Sequence, residues 1–250
     1  MKPIKKTLIS VKKKEKDHIK YFVKDDLDFH AKEGVIKKEE IDSEFGSIIK
    51  SHMNKEFYLL PSSFPDKFSN IRRNAQIIIP KVAGQVIINT GMNKNSVVVE
   101  AGTGSGGLAC LLANTAKEVY SYDISEEAVK LGKENAEFLG IKNAFFDVCN
   151  LKEKSPKKDV DVVVLDMIEA EKAVDSAFEM LKVGGYVVGY FPQITQARDF
   201  VFELERKGFV VEKVEETIER EWVVADRILR PKFLIQGHTA FLVFARKARK

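Results

Sequence analysis

The sequence predicts an α/β protein: a parallel sheet with one antiparallel edge strand and helices on both faces, preceded by a small β-rich N-terminal domain. Three observations carry this. From Gln76 onward, helical and strand periodicities alternate strictly, the order that winds βα units around a parallel sheet. Before that point, residues 1–65 break often into short alternating apolar runs. Between the two halves of the alternation, Val97-Val98-Val99 runs through Glu100 and Ala101 into Gly102-Thr103-Gly104-Ser105-Gly106-Gly107. A β-branched run that ends in a glycine ladder reads as a buried parallel strand turning into a helix, with backbone left bare for close approach of a ligand.

Each element has its own reason. Thr7–Val11 and Ile19–Val23 read as short strands, and Phe57–Leu60 as a third, stopped by Pro61-Ser62-Ser63. Pro65–Asn74 reads as a linker with a short helix. A helix opens at Pro80 and runs to about Thr90, where Gly91 ends it. Strand Ser96–Glu100, helix Gly107–Thr115, strand Glu118–Asp123 and helix Glu126–Leu139, closed by Gly140, follow. Then come strands Ala144–Asp147 and Val160–Asp166, helix Glu171–Leu181, a turn at Val183-Gly184-Gly185, strand Tyr186–Phe191, and helix Thr195–Lys207 ending at Gly208. Phe209–Thr217 and Thr239–Phe244 finish the chain as an antiparallel pair at one sheet edge. The expected division is residues 1–74, a small basic β domain and linker, and residues 75–250, the sheet domain that binds a cofactor and carries catalysis.

Composition narrows the function. The 250 residues suffice for one large α/β domain and a small appendage. No apolar run approaches the roughly 20 residues that span a bilayer, and the basic start Met1–Lys6 lacks the apolar stretch of a secretory leader. Cys110 and Cys149 have no second pair with which to build a metal site, so they read as inert thiols in a reducing cytoplasm. The net charge of +4 is uneven. Residues 1–74 hold 17 Lys and Arg against 12 Asp and Glu, and the remainder 24 against 25. The excess is densest at Lys12-Lys13-Lys14, a phosphate-contacting footprint or a solvated surface.

Gly102, Gly104 and Gly107 satisfy the dinucleotide pattern G-x-G-x-x-G, but the acids around them redirect the reading. Glu100 stands where a pyrophosphate would be repelled and an ammonium welcomed. Asp123 ends the second strand, where a ribose diol needs a bidentate acceptor. Asp147, flanked by Val148, ends the third, where it can accept from an adenine amine. Acids at three successive strand ends suit a ligand made of a cationic amino acid, a ribose and an adenine. His30 and His52 read as structural or surface residues, and Trp222 and Tyr190 as core aromatics able to stack on a base.

This pattern resembles the Rossmann-like class I S-adenosylmethionine-dependent methyltransferases over roughly residues 76–245. Finer segments resemble the archaeal and bacterial tRNA (adenine-N1)-methyltransferases that modify the T-loop. These are Asp28-Phe29-His30-Ala31-Lys32-Glu33-Gly34, Phe45–His52, Glu56–Pro61, Ala75-Gln76-Ile77-Ile78-Ile79-Pro80-Lys81, Val164-Leu165-Asp166, Arg230-Pro231 and His238-Thr239. The chain departs from that pattern at Met167-Ile168, where the family has Leu-Pro after its catalytic Asp, and at Ile79, Val82 and Ala240. The resemblance implies methyl transfer from S-adenosylmethionine to N1 of an adenine in the tRNA T-loop, at position 58 with 57 as a second target. The target must be flipped out of the tRNA elbow. The resemblance also implies Asp166 as the catalytic residue holding the base. The implied cofactor-binding residues are Gln76, Glu100, Gly102, Thr103, Gly104, Ser105, Gly106, Gly107, Asp123, Asp147, Val148 and Asp166. A cytoplasmic homotetramer with tRNA as partner, and with neither membrane nor metal, completes the expectation. Two other readings stay open: a small-molecule methyltransferase resembling the precorrin enzymes, and a non-catalytic subunit that positions RNA.

Overall fold

The computed structural model describes residues 6–10, 20–24, 27–74, 77–225, 227–233 and 237–249. These fall into two compact units, Met1–Ile71 with Arg220–Ile235 and Arg72–Glu219 with Gln236–Lys250. A segment late in the chain therefore groups with the N-terminal unit, a long-range return that no local pattern announces.

In the N-terminal unit, β1 (Lys6–Ser10), β2 (Lys20–Val23), β5 (Ile48–Lys50) and β6 (Glu56–Pro61) form an antiparallel sheet in the order β2-β1-β6-β5. A hairpin of β3 (Phe29–Ala31) and β4 (Gly34–Ile36) precedes the one-turn helix α1 (Lys38–Ile41). Period-two burial explains the sheet: Phe57 and Leu59 point inward with Leu8, Val23, Ile36, Ile41 and Ile49, while Tyr58 between them faces solvent. The expected strands are present; β3, β4 and β5, three residues each, are too short to carry a readable alternation. Helix α2 (Phe64–Phe68) starts from a capping box in which Ser63 and Asp66 satisfy each other's exposed amides.

The second unit begins with α3 (Pro80–Thr90). Then alternate β7 (Val97–Ala101), α4 (Gly107–Ala113), β8 (Glu118–Asp123), α5 (Glu126–Leu139), β9 (Ala144–Val148), β10 (Val160–Leu165), α6 (Val174–Met180), β11 (Leu181–Phe191), α7 (Ile194–Lys207) and β12 (Phe209–Glu216). The hairpin β13 (Trp222–Ala225) and β14 (Ile228–Pro231) belongs to the first unit, and β15 (Phe241–Lys247) returns to the sheet. The sheet order is β12-β15-β11-β10-β7-β8-β9. Strands β7 to β11 pair in parallel, and β15 runs antiparallel between β11 and β12. The last pair thus sits at the edge as expected, with the reversed strand next to the outermost one. Central β10 is apolar on both faces: Val162, Val163, Val164 and Leu165 are at most 1% exposed.

Three local expectations change. The helix expected over Glu171–Leu181 is a 3-10 turn at Ala170–Ala173 followed by α6. The turn expected at Val183-Gly184-Gly185 lies inside β11 as an irregularity: Val160 pairs with Leu181, but Val162 already pairs with Tyr186. Trp222, expected in a core, is 56% exposed on β13, because the burial pattern of that short strand turns Val223 inward instead.

Candidate active site

Strand order locates the site. The chain leaves β7 for β8 and β9 on one side and returns as β10 on the other. The loops after β7 and β10 therefore diverge and leave a crevice at the strands' carboxyl ends. There the Asp166 amide donates to the Ala101 carbonyl, and the Gly102 amide donates to the Asp166 carbonyl at 2.9 Å. Asp166 is thereby fixed beside the first residue of the glycine loop. A cleft of about 450 Å³ opens at this point, lined on one side by Gly102 and Asp123 and on the other by Asp166, Tyr190 and Phe191.

The loop needs its glycines. Gly106 has φ +72°, and a Cβ there would stand 2.7 Å from the Cα of Gly132 on α5, so both conformation and space exclude a side chain. A Cβ on Gly102 would come within 3.2 Å of Asp123 Oδ2 and 3.3 Å of the Asp166 main-chain carbonyl; glycine lets the loop pass between the Asp123 carboxylate and the backbone at the end of β10. Gly104 has open space where its Cβ would be, and Gly107 begins α4. The loop is pinned from behind by Asn135, fully buried on α5, whose amide donates to the Ser105 carbonyl at 2.8 Å and to the Arg72 carbonyl at 2.9 Å. Ser105 Oγ in turn accepts from the Asn74 amide at 3.2 Å. Asn135 carries no sequence signal, since a lone Asn on a helical face reads as solvated.

The predicted acids separate into distinct environments. Asp123 lines the cleft, with Oδ2 accepting from the Gly104 amide at 3.1 Å and Oδ1 from the Ser125 amide at 3.0 Å. Two backbone donors hold its carboxylate in one orientation. Asp166 is half-buried; burial, with the Asp123 charge second, pushes its carboxyl up to about 7. Glu100 lies behind the loop, 1% exposed, where Ser121 Oγ donates to it and Thr103 Oγ1 meets Ser121 Oγ at 2.7 Å. Its burial, opposed by the Ser121 hydrogen bond and reinforced by the nearby Asp166 and Asp123, raises its carboxyl well above the ordinary range. Asp147 is exposed at the end of β9, its Oδ1 accepting from the Val148 amide at 2.9 Å, and neither residue lines the cleft. Gln76 lies outside the described residues.

The cleft has walls that motif reading did not single out. Ile124 follows Asp123, and Cys149, Asn150, Leu151 and Lys152 follow β9. Their common signal is position, one to four residues past a strand end in a parallel sheet. Met167 and Ile168 follow Asp166 on the cleft's rim, Ile168 being 81% exposed. Across the opening Lys152 pairs with Glu169 at 2.7 Å, and Lys172 pairs with the same carboxylate. Tyr190 is buried in the cleft wall, and burial, then the Asp166 charge, raises its phenol. Neither cysteine is activated: burial pushes Cys110 up to about 12 and raises Cys149 as well. His52 Nδ1 accepts from the Val35 amide at 2.8 Å, a structural role within the N-terminal unit. Among the described residues, no group of three or more His, Cys, Asp or Glu side chains is placed to hold a metal ion.

Comparison with known proteins matches residues 92–219 to the family described as "Methyltransferase domain". The chain is 32% identical over 235 residues to the tRNA (adenine(57)-N(1)/adenine(58)-N(1))-methyltransferase TrmI of Methanocaldococcus jannaschii, covering 82% of this chain and 83% of that protein. It is 31% identical over 225 residues to the tRNA (adenine(58)-N(1))-methyltransferase TrmI of Thermus thermophilus, covering 88% of each. Among solved structures, a SAM-dependent O-methyltransferase from Thermotoga maritima superposes with a TM-score of 0.88 at 26% identity, over 100% of this chain and 95% of that one.

Proposed function

Since the chain belongs to the tRNA (adenine-N1)-methyltransferase family, we propose that it transfers the methyl group of S-adenosylmethionine to N1 of adenine 58 in the tRNA T-loop. The observation that carries this reading is that Asp123 and Asp166 line one cleft together with Gly102, near enough for the Asp123 charge to raise the Asp166 carboxyl. The cleft is of the size that holds a small cofactor. Two carboxylates lining one cleft beside bare glycine backbone favour a cationic ligand, and Ile124 and Leu151 add apolar surface for a planar ring. The residues present therefore fit S-adenosylmethionine, which supplies an electrophilic methyl on a sulfonium. Asp123 would hold its ribose, and Gly102, Thr103 and Gly104 would leave room for its amino-acid end. Glu100, Ser105, Gly106 and Gly107 act from behind, by fixing the loop. Gln76, Asp147 and Val148 are read as cofactor contacts on the family resemblance.

Adenine N1 is unprotonated at neutral pH, so no base is needed to activate it. The protein's task is alignment. Asp166 accepts a hydrogen bond from the N6 amine of the target, which orients N1 and places negative charge where the ring becomes positive. That role requires the ionised carboxylate. With a carboxyl near 7 in the free protein, a cation arriving between Asp166 and Asp123 draws Asp166 back toward its charged form. Tyr190, a residue of the cleft wall, offers the flipped base an aromatic neighbour.

The net positive charge of residues 1–74 supports tRNA over a tetrapyrrole as substrate and supports RNA binding through the N-terminal unit. No helix of the described residues is long and apolar enough to cross a membrane. We read the protein as a cytoplasmic homotetramer, on the resemblance; light scattering on the purified protein tests the assembly. The activity is tested by incubating an unmodified tRNA transcript with the protein and S-adenosylmethionine, then analysing nucleosides by mass spectrometry. 1-Methyladenosine at position 58 is the expected product. 2′-O-methylated nucleosides, or methylated tetrapyrrole with untouched tRNA, would overturn the reading.

A further inference from the structure

His238 stands just before β15, and its ring bridges two strand ends. Nε2 lies 2.8 Å from the Pro192 carbonyl, just past β11, and Nδ1 contacts the Glu216 carboxylate at the end of β12. The same two ends flank one residue of β15, because Phe241 pairs with Phe191 on one side and Glu216 on the other. The imidazole also packs on the Phe241 ring, centroids 4.8 Å apart. Both partners of the ring nitrogens are acceptors. A neutral imidazole has one N–H and would turn a lone pair on one of them; only the imidazolium satisfies both.

Pro192 is part of the cleft wall, together with Tyr190, Phe191 and Gln196. Gln193, next in the chain, caps α7 through the Gln196 side chain, so the Pro192 carbonyl marks the joint between strand and helix on that wall. We propose that His238 is a positioning residue for methyl transfer: as an imidazolium it fastens Pro192 to β12 and so holds the Tyr190–Gln196 wall against the target base. Among the described residues, Glu216 is the charged group set against the ring; Pro192 contributes a carbonyl and Phe241 a ring face. The Glu216 contact, then the Pro192 carbonyl, raises the imidazole above its usual value, so the charged form persists to higher pH than in a free histidine.

This inference rests on the reading of the cleft as the base site, and its test separates the two. Methyl transfer to a tRNA transcript is measured from pH 6 to 9 for wild type, His238→Gln and Glu216→Gln, with S-adenosylmethionine affinity followed by calorimetry. Glutamine keeps one donor and carries no charge. At low pH, His238→Gln should lower kcat/KM for tRNA about tenfold, the effect of one charge-assisted hydrogen bond, with cofactor affinity unchanged. As pH rises through the imidazole's titration, the wild-type advantage over His238→Gln should disappear. Glu216→Gln keeps an acceptor but removes the charge, and should move that loss to lower pH. If the wild type methylates tRNA and the ratio of wild type to His238→Gln is flat across the range, His238 is not such a strut. If the ratio varies but Glu216→Gln leaves its midpoint in place, the assigned pair is wrong. Absence of transfer by the wild type at every pH would instead remove the base-site reading on which the inference stands.

Discussion

The surface acids of the N-terminal unit and the cleft acids of the sheet unit sit in opposite environments. In the N-terminal unit acids sit beside lysines: Lys37, followed by the Lys38 amide, holds Asp28 below the usual range, and at Asp66 burial is outweighed by Ser63 and Lys20. In the sheet unit, Glu100 and Asp166 are drawn out of water with no cation against them, and both carboxyls rise. The first arrangement stabilises a surface. The second costs stability and leaves negative charge in reserve for a cation that the fold itself does not supply. On the proposed reading, active-site chemistry and long-range attraction belong to different parts of one chain, and separate substitutions should reach them independently.

The largest effect is expected where the reserve is used. Asp166→Ala should slow single-turnover methyl transfer about a hundred- to a thousandfold, roughly 2.7–4 kcal/mol, the scale for an electrostatic group aimed at developing charge. Cofactor affinity should change far less. A variant that transfers at the wild-type rate would show that the base is held elsewhere. Asp123→Ala should do the reverse: calorimetry should find S-adenosylmethionine binding weakened severalfold to a hundredfold, about 1–3 kcal/mol for lost bonds to a charged group. Unchanged affinity would mean that Asp123 serves only its own loop through the Gly104 and Ser125 amides.

A third test reads the stability cost directly. Folded Asp166 has its carboxyl near 7, above that of an unfolded aspartate. The folded state therefore binds the extra proton between about pH 4 and 7. Its stability contribution is intact below that window and is lost as pH rises through the folded value. Asp166→Asn, which never ionises, should be more stable than wild type at pH 8 by roughly 2–3 kcal/mol, the full value of about 4 being reduced by the solvent that reaches this half-buried group, and equal to it at pH 4. Thermal melts at both pH values check this. Equal melting points at pH 8 would show that the acid is well solvated and not held in reserve.

How much of this was legible follows from where the signals lie. The sheet is readable because each βα unit is local: Pro80 opens α3, Ser125 caps α5, and Gly91, Gly140 and Gly208 close helices in left-handed conformations. Asp123 and Asp166 could be placed because strand ends in such a sheet face one crevice. Burial was not legible. Glu100 and Asp147 look equivalent in sequence, yet one is sealed behind the loop against Ser121 and the other is exposed at the edge strand. Asn135, His238 and the return of Arg220–Ile235 to the N-terminal unit depend on contacts between segments far apart in sequence, which no window of residues contains.

The smallest expected effect falls on the other side of the comparison. Lys12, Lys13 and Lys14 lie outside the described residues, and their proposed role rests on charge alone: the first 74 residues hold the whole positive excess, while the rest of the chain is near neutral. A near-neutral sheet unit has little long-range pull on tRNA, so these lysines should supply part of it. Each phosphate they neutralise releases counterions and adds just under one unit to the slope of log affinity against log salt. Reversing all three to Glu should therefore flatten that slope. Between 50 and 200 mM salt, wild type should lose about threefold more affinity than the variant if one lysine touches phosphate, and about fortyfold more if all three do. Affinity for S-adenosylmethionine should be unaltered, because Asp123 and the glycine loop belong to the other unit. Filter binding across a salt series measures the slope. An unchanged slope would mean that the lysines only solubilise a β unit built for other contacts, and the attraction for tRNA would then have to come from the sheet unit after all.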